Sequence, residues 1–233
     1  MTRRTSQQRA IDAIEARGAL LVFPIQNRAS PPSLWHVLHP GVAMRWDWDQ
    51  SADPRVPALW HLREELARSR GVVYSKWYQD RATFFSRALF VAMLASQRAV
   101  GPSLEAGLSP DAIEMLRLLE SDSPRSTKQL RRDAGLTGRM FESSFRRGLT
   151  QLFRRMLVVG YGEVDDGAFP SLAVGATRTL FEELWDEAST LDPIEASKHV
   201  RAILPSDSPF ARQHEKYSRA RELSVDQDAG APA

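Results

Sequence analysis

Between Leu108 and Ala176 the apolar positions change period in a fixed order. Ser109 precedes Pro110, and Ile113, Leu116 and Leu119 then recur at helical spacing, which predicts a capped helix. Ser126-Thr127-Lys128-Gln129 reads as a second helix start, and Gly135 as the end of that short helix. A third helix is predicted from Thr137 to Met156, with Phe141, Phe145, Leu149, Leu152, Phe153 and Met156 on one stripe. The period then shortens. Leu157–Val164 reads as a strand, Asp165-Asp166-Gly167 as a hairpin turn, and Ala168–Val174 as the returning strand. Three helices followed by a hairpin are the order of a winged helix-turn-helix, expected over residues 105–176.

The flanking segments read differently. Gln7–Arg17 patterns as a helix stopped by Gly18, and Ala19–Phe23 as a buried strand ended by Pro24. A helix is expected from Leu34, another from Pro57, a hairpin over Val72–Ser86, and a helix over Arg87–Ala99. Five of the six tryptophans (Trp35, Trp46, Trp48, Trp60 and Trp77) fall in this stretch, which reads as the core of a small α/β region over residues 1–104. Period-2 alternation would set Tyr74, Lys76 and Tyr78 on one face of their strand. Residues 177–205 pattern as C-terminal helices and 206–233 as a polar, largely disordered tail. The expected class is therefore α+β, mostly helical: a winged helix with a Trp-rich N-terminal α/β region and C-terminal helices.

Charge sharpens the picture locally. The chain carries a net +2, yet Arg125–Arg155 holds nine Lys or Arg against Asp133 and Glu142. Opposite the apolar stripe of the third helix lie Arg139, Ser143, Arg146, Arg147, Thr150 and Arg154. Guanidinium forks and hydroxyls suit phosphates and base edges, so these residues, with Lys128, Arg131, Arg132 and Lys76, are the expected nucleic-acid contacts. Duplex DNA, damaged or intact, is the expected partner. The acidic hairpin residues Glu163, Asp165 and Asp166 run against that expectation, since phosphate would repel an acidic tip.

Composition mainly excludes. Without cysteine there is no disulfide, thiolate metal site or thiol nucleophile, and the location expected is cytoplasmic. No secretory signal opens the chain, no apolar run is of membrane-spanning length, and no nucleotide-binding glycine motif occurs. His36, His39, Asp47, Asp49 and Asp53 lack the spacing of a ligand set, so neither metal nor cofactor is expected.

Three stretches together resemble the AlkZ-related proteins, a group similar to the AlkZ-type winged-helix DNA glycosylases. They are Phe23-Pro24-Ile25-Gln26-Asn27-Arg28 through Trp35, Leu59–Leu66 followed by Val73–Trp77 and Thr83–Ser86, and Leu149 to Phe169. The resemblance implies a winged-helix fold with DNA as ligand. It also implies a Gln-x-Gln or Gln-x-Asp motif that positions the water attacking the sugar. Gln26 matches its first member, and Arg28 stands where an amide or carboxylate is needed; a guanidinium has no acceptor for a water proton. Nucleic-acid binding is therefore better supported than catalysis. The alternatives are an active glycosylase hydrolysing the N-glycosidic bond, a transcription regulator acting as a homodimer, and a protein-interaction domain.

Overall fold

The computed structural model describes residues 5–46, 53–167 and 170–229. Trp48, Asp47 and Asp49 lie outside them. Helix α1 (Ser6–Arg17) starts at Thr5, whose hydroxyl accepts from the Gln8 amide at 3.2 Å, and stops at Gly18 with φ 75°. Strand β1 (Ala19–Leu21) follows, then α2 (Leu34–Leu38) and α3 (Arg55–Arg68). The hairpin β2 (Val73–Tyr78) and β3 (Arg81–Phe85) leads into α4 (Arg87–Ser96). Next come α5 (Pro110–Ser121), the two-residue β4 (Arg125–Ser126) and α6 (Thr127–Asp133). A 3-10 turn over Arg139–Phe141 enters α7 (Glu142–Arg154), followed by β5 (Val158–Val164) and β6 (Ser171–Ala176). The chain closes with α8 (Thr177–Leu180), α9 (Glu182–Thr190), α10 (Pro193–Ile203) and α11 (Pro209–Ala229).

One antiparallel sheet in the order β1-β3-β2-β5-β6-β4 connects the Trp-rich region to the helix-hairpin segment. The join is the pairing of Tyr74 with Gly160. A methyl group at Gly160 would collide with the Tyr74 ring, so only glycine lets the two strands approach.

Strand alternation distributes the core. Leu20, Tyr74 and Phe84 face α1, α2 and α3, with Ile14, Trp35, Leu59 and Leu66. Val73, Trp77 and Phe85 turn to the other side, against Phe90, Phe181, Leu184 and Phe210. A third cluster packs α5, α6 and α7 on β5 and β6 through Met115, Leu119, Leu130, Leu152, Phe153 and Val174. Each fully buried large side chain contributes about 2–3 kcal/mol relative to exposure.

The fold is α+β and mostly helical, as the periodicity predicts, with three corrections. A register shift between Ser75 and Tyr78 puts Tyr78 beside Trp77, so Tyr74 and Tyr78 join different cores rather than one face. The third helix starts at Glu142 rather than Thr137, and Phe141 in the turn before it is 37% exposed instead of buried. The stretch predicted as a disordered tail is helix α11 as far as Ala229. Phe210, Gln213 and Arg221 are buried along it, and Tyr217 packs edge-on to Trp77 with its hydroxyl donating to the Trp77 carbonyl. Among the described residues no helix is long and apolar enough to cross a membrane.

Candidate nucleic-acid interface

Helix α7 buries Gly148, Leu152 and Phe153 and half-buries Phe145 and Leu149, which turns the remaining side outward. That outer side is not uniform. Ser143, Arg146 and Arg147 are exposed, as is Arg139 in the preceding turn. Arg147 has a 3.3 Å bond to Ser144; Arg139 and Arg146 make no ion pair among the described residues. The C-terminal half of the same side docks inward. The Thr150 hydroxyl lies 3.3 Å from Asp80 in the β2–β3 turn, and Arg154 is 4.0 Å from the same carboxylate and 4.9 Å from the Tyr217 ring.

The other predicted contacts divide in the same way. Arg131 donates to the carbonyls of Leu136 and Gly138 at 2.9 and 2.8 Å, so it shapes the turn between α6 and α7. Arg132 is exposed beside Asp133 at 3.7 Å. Lys128 pairs with Asp166 of the hairpin at 3.0 Å. Lys76 is half-buried on β2, and burial, with the Arg63 charge, lowers its pKa against the pull of Asp80 and Glu163. It sits at the seam of the two regions, not on the open face.

The hairpin acids are tied down. Hydrogen bonds from Ser126, Ser171 and Lys128 hold the Asp166 carboxyl down to about 2. Glu163 turns toward α3: Arg63 meets it at 2.5 Å, the Trp60 indole at 3.3 Å, and Arg68 donates to its carbonyl at 2.7 Å. Burial, then a hydrogen bond with Glu163, raises the neighbouring Glu64 carboxyl, while Arg63 keeps Glu163 ionised despite its own burial. Only Asp165 of the three remains exposed without a bond among the described residues.

Beside this junction lies an exposed aromatic cluster. The Phe23 ring is 5.1 Å from Trp46 and 6.4 Å from Trp60, and these tryptophans are 49% and 37% exposed. The Arg63 guanidinium covers Trp60 at 3.9 Å. Trp35 and Trp77, by contrast, are core. Gln26 is exposed in the neighbouring loop at φ 52°, and the Asn27 side chain bonds both the amide and carbonyl of Met44 at 2.7 and 2.9 Å. Asn27 is therefore committed to loop structure, while the Gln26 amide faces solvent.

Asp80, Arg63, Glu64 and Glu163 escaped the sequence as site residues. Their partners lie 70 to 103 positions away, and no local pattern announces such pairs.

An α+β scaffold that displays an open arginine row on one helix narrows the class of protein, and its sequence narrows it further. The chain belongs to the AlkZ-related family, whose sequence profile matches residues 4–217. Neither the curated proteins nor the solved structures contain a match.

Proposed function

We propose that the chain binds duplex DNA through a winged helix-turn-helix formed by α5, α6, α7 and the β5–β6 hairpin. The order of these elements, with β4 alongside β6, supports that reading, as does the relationship of the family to AlkZ-type DNA glycosylases. One observation carries it: Arg146 and Arg147 on the outer side of α7 and Arg139 in the turn before it are exposed, while the hairpin acids Glu163 and Asp166 are held by internal partners. Burdened with neither carboxylates nor packing, those guanidiniums are available for phosphates and guanine edges.

The test is fluorescence anisotropy of a labelled duplex over a salt series. Replacing both Arg146 and Arg147 with alanine is expected to flatten the log-affinity against log-salt slope by about 2, one counterion per lost phosphate contact. Absence of binding by the wild-type chain at low salt refutes the reading.

A second reading, excision of an extruded base, is favoured by the exposed rings of Trp46 and Trp60, packed on half-buried Phe23 three residues before Gln26, because bases stack on such faces. In it Gln26 positions the water and the aromatic cluster receives the base. Gln26→Ala is expected to abolish release of a damaged base while duplex binding persists. Undiminished release in that variant removes Gln26 from the chemistry.

A further inference from the structure

Residues 137–143, which carry the chain from α6 into α7, form an unbroken exposed run. Two of them are large apolar side chains: Met140 is 81% exposed and Phe141 37%. Neither belongs to any of the three hydrophobic clusters among the described residues. The backbone beneath them is nevertheless fixed. Leu136 is buried in the helix core, and Arg131 donates to the carbonyls of Leu136 and Gly138 at 2.9 and 2.8 Å. Gly138, at φ 90°, takes the bend that a side chain would oppose, and its carbonyl accepts from the Phe141 amide at 3.3 Å. One exposed apolar residue is ordinary; two in succession on a braced tip mark a contact surface.

The surroundings limit what such a tip can meet. Arg132, Arg139, Arg146 and Arg147 are exposed on α6, in the turn and along α7, against the carboxylates of Asp133 and Glu142. A second copy of the chain is a poor occupant. A stable association buries about 800 Å² on each partner, far more than two side chains, and a symmetric contact would set these arginines against each other. A polyanion that also displays apolar groups fits both halves of the surface. In the major groove of duplex DNA the apolar group on the base edges is the 5-methyl of thymine, and phosphates flank it.

On the reading of the chain as a duplex-DNA binder, on which this rests, we propose that Met140 and Phe141 read thymine. They cover its 5-methyl group in the major groove while the exposed arginines hold neighbouring phosphates, which gives the protein a preference for A·T base pairs. The residues that open the second helix of a helix-turn-helix are those that reach base edges, and Met140 and Phe141 directly precede α7. The unbranched thioether of Met140 adapts its shape to an apolar partner, and Phe141 supplies a flat apolar face. Each methyl group covered strengthens binding about three- to fivefold.

Fluorescence anisotropy of the full chain with two labelled A·T-rich duplexes of one sequence tests it, the second carrying uracil in place of every thymine. Uracil pairs with adenine as thymine does and lacks only the methyl group. The wild-type chain is expected to bind the thymine duplex about three- to fivefold tighter or more. Met140→Ser, at a position with almost no packing to lose, should reduce that ratio, and Met140→Ser/Phe141→Ser should abolish it. Neither variant removes a phosphate contact, so the slope of log affinity against log salt stays that of the wild type. Equal affinity of the wild type for the two duplexes overturns the thymine preference and leaves DNA binding standing. A preference that survives the double substitution does the same. Failure to bind either duplex overturns the DNA-binding reading and the thymine preference together. Sedimentation at rising protein concentration addresses the second copy: self-association lost in Met140→Ser assigns the tip to another molecule of the chain and overturns the thymine contact.

Discussion

The arginines on the outer side of α7 and the turn before it, and the arginines buried between other elements, are the same residue in two opposite situations. Arg139, Arg146 and Arg147 stand in solvent with no ion pair among the described residues, whereas Arg63 and Arg221 are almost fully buried and bonded through their terminal nitrogens. An exposed guanidinium contributes little to folding and keeps its charge for a ligand. A buried one holds elements together and would be expensive to strand. Counting arginines cannot separate the two; their partners can.

The largest effect expected from breaking this division is at Arg63. Arg63→Met leaves Glu163 partly buried without its cation, and urea denaturation should show a loss of about 3 kcal/mol. A loss below about 0.5 kcal/mol, the range of ordinary surface changes, would mean that the pair is incidental. By contrast, alanine at Arg146 and Arg147 should change the unfolding free energy in urea by no more than about 0.5 kcal/mol while weakening duplex binding.

Asp80 allows the boundary itself to be moved. Its carboxylate occupies Thr150 and Arg154, so Asp80→Asn should release the inner half of the helix face and tighten duplex binding by about 2–5-fold. Anisotropy at fixed salt reads this directly, and weaker binding by the variant would show that Asp80 positions the face rather than competes for it.

The smallest effect is a titration. The Asp166 carboxyl is held below the ordinary carboxylate value near 3.9. Its contribution to stability is therefore fully present above that value and disappears as pH falls from about 4 through about 2. Carboxyl NMR should place its midpoint near 2; a midpoint near 4 would show that Ser126, Ser171 and Lys128 do not hold it in solution.

Much of the scaffold was legible because it is written in periods. The apolar stripe of α7 and the capped start of α5 at Ser109 follow from spacing alone. The 3-10 turn before α7 was not, because Phe141 continues the helical period in sequence while the backbone leaves it. Helix α11 was hidden by polar anchors: Gln213 and Arg221 share its buried side with Phe210 and Tyr217, which erases the apolar signal. The candidate face was half legible. Its arginines are visible in the sequence, but the acid that engages Thr150 and Arg154 lies 70 residues earlier than Thr150, and only the fold brings it there.

The Tyr74–Gly160 pairing carries a consequence for ancestry. A DNA-reading cassette with its own closed sheet can be copied into other proteins by recombination. The segment from residue 105 to 176 instead shares a strand boundary with the region before it, so excision at residue 105 would strip β5 of its neighbour and bare a sheet edge prone to misassociation. The two regions are therefore bound to be inherited together, and a gene fragment encoding either alone would be a poor unit of exchange.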